Sequence, residues 1–184
     1  MPRTRRYLTA AVITAMASSS LVGEALASNP PVDFGDFPDD SAHFVTNYTS
    51  PGYAHDGIAY GITELDRSSL YLYNSSSWLD VLSYIMDIGP DAGLYQCQVH
   101  LGSPGWYCDT SITWFDDSIS QDTANSLYWK ALACHELGHS GGVGERTVAG
   151  TSSCLINPAT SSELSLNSDD VATLNWIRSN YPNP

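Results

Sequence analysis

Positive charge is what this chain has least of. Seven Lys and Arg stand against twenty Asp and Glu, a formal net charge of −13 over 184 residues. So few cations cannot neutralise a phosphate backbone, which excludes nucleic acid as a partner. Beyond the first two dozen residues no stretch approaches eighteen uninterrupted apolar residues, so no membrane span or anchor is read. Methionine is limited to Met1, Met16 and Met86. There is no internal repeat and no calcium-loop pattern. Three acidic pairs, Asp39-Asp40, Asp116-Asp117 and Asp169-Asp170, are of a kind that could hold calcium without one.

Three of the scarce cations sit together at the start. Arg3, Arg5 and Arg6 precede an apolar run from Tyr7 to Val22, and Ala25-Leu26-Ala27 puts small residues where a signal peptidase reads. A signal peptide over 1–27 is expected, with Ser28 the first mature residue and a secreted, extracellular product. Arg5-Arg6 has a slight twin-arginine character, but the general secretory route is the default. The remaining 157 residues suit one domain with an ordinary core. Without Arg3, Arg5, Arg6 and Glu24 the mature part has four basic residues against nineteen acids, a net charge of −15. That charge keeps an exported protein soluble.

Cysteine is also sparse. Cys97, Cys108, Cys134 and Cys154 all fall in the mature part, and an even number in an exported chain favours disulfides over thiol chemistry. Three pairings are possible. Pairing neighbours, Cys97 with Cys108 and Cys134 with Cys154, closes two short loops.

Residues 28–51, rich in Pro, Gly, Asp and Ser, are expected to form an extended entry segment, with a pro-segment as one reading and no site in it. In "GIAYGITEL" Ile58, Tyr60 and Ile62 alternate with small or polar residues, a period of two that predicts a strand. "SSWLDVLSYIMDIG" places Trp78, Leu79, Leu82, Ile85 and Met86 on one helical face. Ser77 and Asp80 would form its capping box and Gly89-Pro90 its stop, which predicts a helix of three turns. "LYQCQVHL" and "SITWFDDS" read as short strands around a turn-rich stretch. Asp122 is placed to cap a long helix ending near Gly141-Gly142, and Ser168 to start a last helix that stops before Pro182. The order predicts an α+β domain.

The long helix ends in "ALACHELGHSGGVGERTV". His135 and His139, four apart, project from one helical face and can share a metal, with Glu136 close enough to touch a metal-bound water. Zinc held by three protein ligands keeps a position for water and lowers its pKa, and a carboxylate beside it can take the proton. Gly142 and Glu145 lie three and six residues beyond His139, giving HExxHxxGxxE. His43, His55 and His100 have no second ligand at short spacing and read as surface or satisfied core residues. A second structural zinc using His100 is the alternative there.

That extended pattern resembles the metzincin metallopeptidases, whose motif is HExxHxxGxx followed by His or Asp. Within the clan it is most like the small secreted matrixin-like and snapalysin-like enzymes, the latter taking Asp as third ligand. The resemblance implies a metzincin-like zincin domain over 52–184: a twisted mixed sheet, a zinc-binding active-site helix and a C-terminal helix. It also implies that Gly142 turns the chain so that Glu145 reaches the metal. The competing reading makes Glu145 a surface acid paired with Arg146. No methionine follows the helix to form the Met-turn of that clan. "SSCLINPATSSEL" stands in its place, with Leu155 (or Ile156) at the methionine position as floor of the site. A Cys134–Cys154 bridge would fix helix against floor. The resemblance further makes "SITWFDDS" the edge strand along which an extended substrate pairs.

The expectation is therefore a monomeric secreted zinc endopeptidase acting on peptide or protein substrates, with His135, His139 and Glu145 on Zn2+ and Glu136 as general base. The altered third ligand and missing methionine motivate a rival class: an inactive secreted binding protein on the same scaffold.

Overall fold

Alternating apolar residues in the middle of the chain resolve into one six-stranded sheet. The structure, a computed structural model, describes residues 37–39, 42–74, 80–101, 107–146, 152–156 and 162–180. The leader expected over 1–27 lies outside the described residues, as do Asp40, Ser77, Trp78, Leu79 and Pro182. The strands are β1 (Phe37–Pro38), β2 (Ala42–Asn47), β3 (Tyr71–Asn74), β4 (Val81–Met86), β5 (Gly93–Leu101) and β6 (Tyr107–Asp116). Their order is β1-β6-β4-β2-β3, with β5 paired to the other side of β6. Every pair is parallel except β5 with β6. The α-helices among the described residues are α1 (Tyr53–Leu65), α2 (Ser126–Ser140) and α3 (Ser168–Asn180), so the fold is mixed α/β.

Two elements differ from expectation, and they exchange types. Residues 57–65, expected as a strand, belong to α1. Buried Ala54, Gly57, Ile58, Gly61 and Leu65 make a helical stripe on it. A β-carbon at Gly57 would fall 2.7 Å from the Trp129 carbonyl oxygen, and one at Gly61 2.9 Å from that of Ala133. These two glycines are thus the contact that lets α1 lie against α2. Residues 81–86, expected within a helix, form β4, paired on both edges to β2 and β6. An inner strand is apolar on both faces, so its run of Val, Leu, Tyr, Ile and Met imitates a helical stripe. Ser83, fully buried on it, is satisfied by the Thr113 hydroxyl at 2.8 Å.

A third difference concerns the edge. "SITWFDDS" supplies β6, which is an inner strand, paired to β1 and β4 on one side and β5 on the other. Among the described strands β5 pairs with β6 alone, as β3 does with β2 at the far end, so the edge beside α2 belongs to "GLYQCQVHL". The sheet also takes in β1 and β2, ahead of the expected domain start at 52.

The turn leading into α2 is capped where the sequence places its cap. The Asp122 carboxylate accepts from the Asn125 backbone N–H and opens a single 3-10 turn, Thr123–Asn125, that runs into α2. Trp129 is fully buried and packs edge-on against Phe115 of β6, ring centres 6.0 Å apart. Every residue of α2 from Ala131 to Ser140 is buried, which places the HExxH stretch between sheet and α1 rather than on a solvated face.

Candidate metal centre

Helix α2 must stop for its last turn to face anything but itself. Gly141 and Gly142 donate to the Gly138 and His139 carbonyls at 3.1 and 2.8 Å, closing the helix. Gly142 then takes φ +85°, a conformation that costs other residues energy. A β-carbon there would also meet Phe37 at 2.9 Å. The chain turns back, and the Glu145 carboxylate comes to 3.4 Å from His135 Nε2 and 3.7 Å from His139 Nε2. The ligand atoms of His135, His139 and Glu145 lie within 4.8 Å of one another, a group that could hold a metal ion.

The imidazole tautomers follow from the other ring nitrogens. His135 Nδ1 lies 2.8 Å from the Cys154 carbonyl, and His139 Nδ1 lies 2.7 Å from that of Val143. Carbonyl oxygens only accept, so both Nδ1 atoms donate and both neutral rings present a lone pair at Nε2. Those two Nε2 atoms stand 3.2 Å apart. Two lone pairs cannot bond to each other, so the arrangement calls for a shared cation, proton or metal. Glu145 Oε2 makes the same demand: it is buried with no hydrogen-bond partner among the described residues. The donor set, two imidazoles and a carboxylate, fits a transition metal.

Electrostatics agree with that demand. Burial opposes ionisation of Glu145, but hydrogen bonds to His135 and His139 outweigh it and bring its carboxyl down to about 2. Burial likewise opposes the imidazolium of His135, yet Glu145 and Glu136 win and raise its pKa. Glu136 is buried beside both histidines. Desolvation pushes its carboxyl above the ordinary range although the histidines pull the other way.

The backbone segment 152–156 serves the group from below. Leu155 is fully buried, and a β-carbon at Gly138 would fall 2.5 Å from its Cδ2, so this side chain packs directly under α2. Cys134 is joined to Cys154, and Cys97 to Cys108 across the β5–β6 pair. Arg146 does not partner Glu145. It pairs with fully buried Asp170 of α3 at 2.7 Å, and Asp170 also accepts from the Ser153 hydroxyl and the Asn167 N–H. Arg146 N–H donates to the Leu155 carbonyl at 2.8 Å. Sequence reading missed this brace. Its one trace is an arginine adjoining the motif in a chain with few cations.

The remaining histidines and acidic pairs lie elsewhere. His43 is buried on β2, its Nε2 3.0 Å from the Ser140 hydroxyl at the end of α2. His100 is exposed on β5. Asp116 is occupied by the Ser118 and Ile88 N–H groups, and Asp170 by Arg146.

The fold and the site define a mixed α/β protein with a His/His/Glu group, its histidines buried and its glutamate half-buried, able to hold a metal. No protein-family model matches the chain, and neither does any curated protein sequence. Among solved structures it is similar to the GM1-bound form of the ECX AB5 holotoxin, with a TM-score of 0.56 at 12% identity over 75% of this chain and 80% of that one. That likeness is one of fold. Two structures of myroilysin align with TM-scores of 0.47 and 0.45 at 14% and 13% identity. They cover 83% and 82% of this chain and 84% and 87% of theirs.

Proposed function

We propose that the chain is a secreted zinc endopeptidase of metzincin type, with a signal peptide over 1–27 and a monomeric catalytic domain that cleaves peptide or protein substrates outside the cell. The observation that carries this reading is the convergence of His135, His139 and Glu145 beside buried Glu136. Tetrahedral ligands about 2.0–2.1 Å from zinc stand about 3.3 Å apart, and the three separations here are 3.2, 3.4 and 3.7 Å. His135 Nε2, His139 Nε2 and a Glu145 oxygen would hold zinc, which when bound lowers the pKa of water and polarises a peptide carbonyl.

The chain's own groups do the rest. The Cys154 and Val143 carbonyls orient the two rings, a role that outer-shell acceptors play at metal sites. Glu136, its basicity raised by burial, takes the proton of the attacking water and returns it to the leaving amine. An extended substrate pairs with the open edge of β5 by strand addition. Gly142 supplies the turn and Leu155 the floor that a methionine would fill.

The test is hydrolysis of an unfolded protein by the purified mature chain, before and after removal of zinc by a chelator and after its return. Activity should vanish and reappear. Glu136→Gln should keep its zinc and lose roughly 10²–10⁴-fold in kcat. A zinc-loaded, folded wild type without turnover would sink the peptidase reading in favour of a binding protein.

A further inference from the structure

Glu136 is held in a way unlike its neighbours. His135, His139 and Glu145 each have polar contacts that orient them, whereas the Glu136 carboxylate forms no hydrogen bond or ion pair with any described residue. A buried side chain without polar restraint takes its position from the space around it. On the side of the open strand that space is bounded by Gly93, the first residue of β5. A β-carbon at Gly93 would fall 2.4 Å from Glu136 Oε1 and 2.8 Å from both Cδ and Cγ. No side chain fits between them.

Backbone conformation does not require glycine here. Among the described residues the glycines with positive φ are Gly52, Gly89 and Gly142, and Gly93 is in strand, paired in register with Phe115. Alanine would therefore be accepted by the backbone and rejected by the Glu136 side chain. That carboxylate is the far end of a flexible side chain, so it would swing aside instead of unfolding the protein.

We infer that Gly93 is a positioning residue for the proposed general base: the missing side chain at the head of the open strand is the slot that seats the Glu136 carboxylate beside the metal group. This rests on the reading of Glu136 as base. It ties the base to the strand proposed to carry the substrate, so that one backbone locates both reacting partners. A shift of about 1 Å in a reacting group can cost a hundredfold in rate.

The experiment is a double-mutant cycle on the zinc-loaded mature chain, with Gly93→Ala, Glu136→Ala and both together. Kinetics on a peptide substrate, zinc content and melting temperature are read for each. Gly93→Ala should lower kcat about a hundredfold, leaving KM, zinc content and melting temperature close to wild type. Glu136→Ala removes Cγ, Cδ and Oε1, the three atoms the new β-carbon would meet, so adding Gly93→Ala should cost little more residual activity and the cycle should be strongly non-additive. Full activity in Gly93→Ala, or additive losses, would overturn the inference while leaving the peptidase reading intact. Failure of that reading would be seen separately, as an inactive wild type or an active Glu136→Gln. Should Gly93→Ala not fold, Gly93→Ala/Glu136→Ala decides: recovered folding places the clash at Glu136, and continued loss rejects it.

Discussion

Around α2 the ring nitrogens of three histidines are sorted by what faces them. His135 and His139 turn Nδ1 to backbone carbonyls and Nε2 to Glu145, whereas His43 turns Nε2 to a hydroxyl inside the core. With no acid to offset its burial, His43 has its pKa lowered from 6.5 to about 4. The unfolded chain therefore binds this proton first as pH falls. The stabilisation from a neutral His43 is whole above pH 6.5 and is lost progressively down to about pH 4. The shift corresponds to roughly 3 kcal/mol at about 1.4 kcal/mol per unit. Urea melts from pH 7 to 4 should fall more steeply for the wild type than for His43→Gln, and parallel curves would refute the assignment. Spacing marked His135, Glu136 and His139 as candidates, and the resemblance of the extended motif added Gly142 and Glu145. Nothing in the sequence marked His43 as buried, because its partner Ser140 lies 97 residues away.

Among the elements, the short stretch 152–156 does more than its length suggests. Its Cys154 carbonyl orients His135, its Leu155 carbonyl receives the N–H of the residue after Glu145, and its Ser153 hydroxyl binds the acid that holds Arg146. Asp170 of α3 is the hub of that brace. Asp170→Ala should destabilise the protein by about 3–5 kcal/mol, since it removes one partner of a buried ion pair. It should also weaken zinc binding at the proposed site, because Arg146 directly follows Glu145 and holds it through the brace. Denaturation and zinc titration of the same samples check both. Undiminished zinc affinity in a folded variant would mean that Glu145 is placed by something other than this brace. The element types themselves were only partly legible. Where burial is one-sided, as in α3, or where caps are strong, as at Asp122, the sequence pattern and the structure agree. They disagree at α1, where glycines on the buried stripe leave Ile58, Tyr60 and Ile62 to read as a strand, and at β4, where pairing on both edges makes an apolar run that imitates a helix.

For the molecule as a whole, the metal group joins α2, the turn after it and segment 152–156, so an ion bound there would hold separate parts of the fold together. Binding to the folded chain alone adds stability by mass action, about 2.7 kcal/mol when the free metal is a hundred times its Kd. Added zinc should thus raise the melting temperature of the chelated protein, and Glu145→Ala should abolish most of that rise. An equal rise in the variant would remove Glu145 from the ligand set. The Cys134–Cys154 disulfide acts on the same parts through the unfolded chain, whose freedom it restricts across a separation of 20 residues.

By itself the sequence determined the features that are local in the chain. They are the leader-like start, the acidic balance, the even cysteine count, and a histidine, glutamate and glycine spacing that one helical turn and one left-handed residue convert into a shared face. Tertiary structure decided everything that depends on distant partners: which strand has the open edge beside α2, how two glycines of α1 admit α2, and that Arg146 answers Asp170 and not Glu145. It also decided that Gly93 makes room for Glu136, 43 positions on. The physical reason is common to all of these. Spacing along a helix or turn is set by backbone geometry within a few residues, whereas burial, pairing and vacant space exist only after chain segments far apart in sequence have packed together.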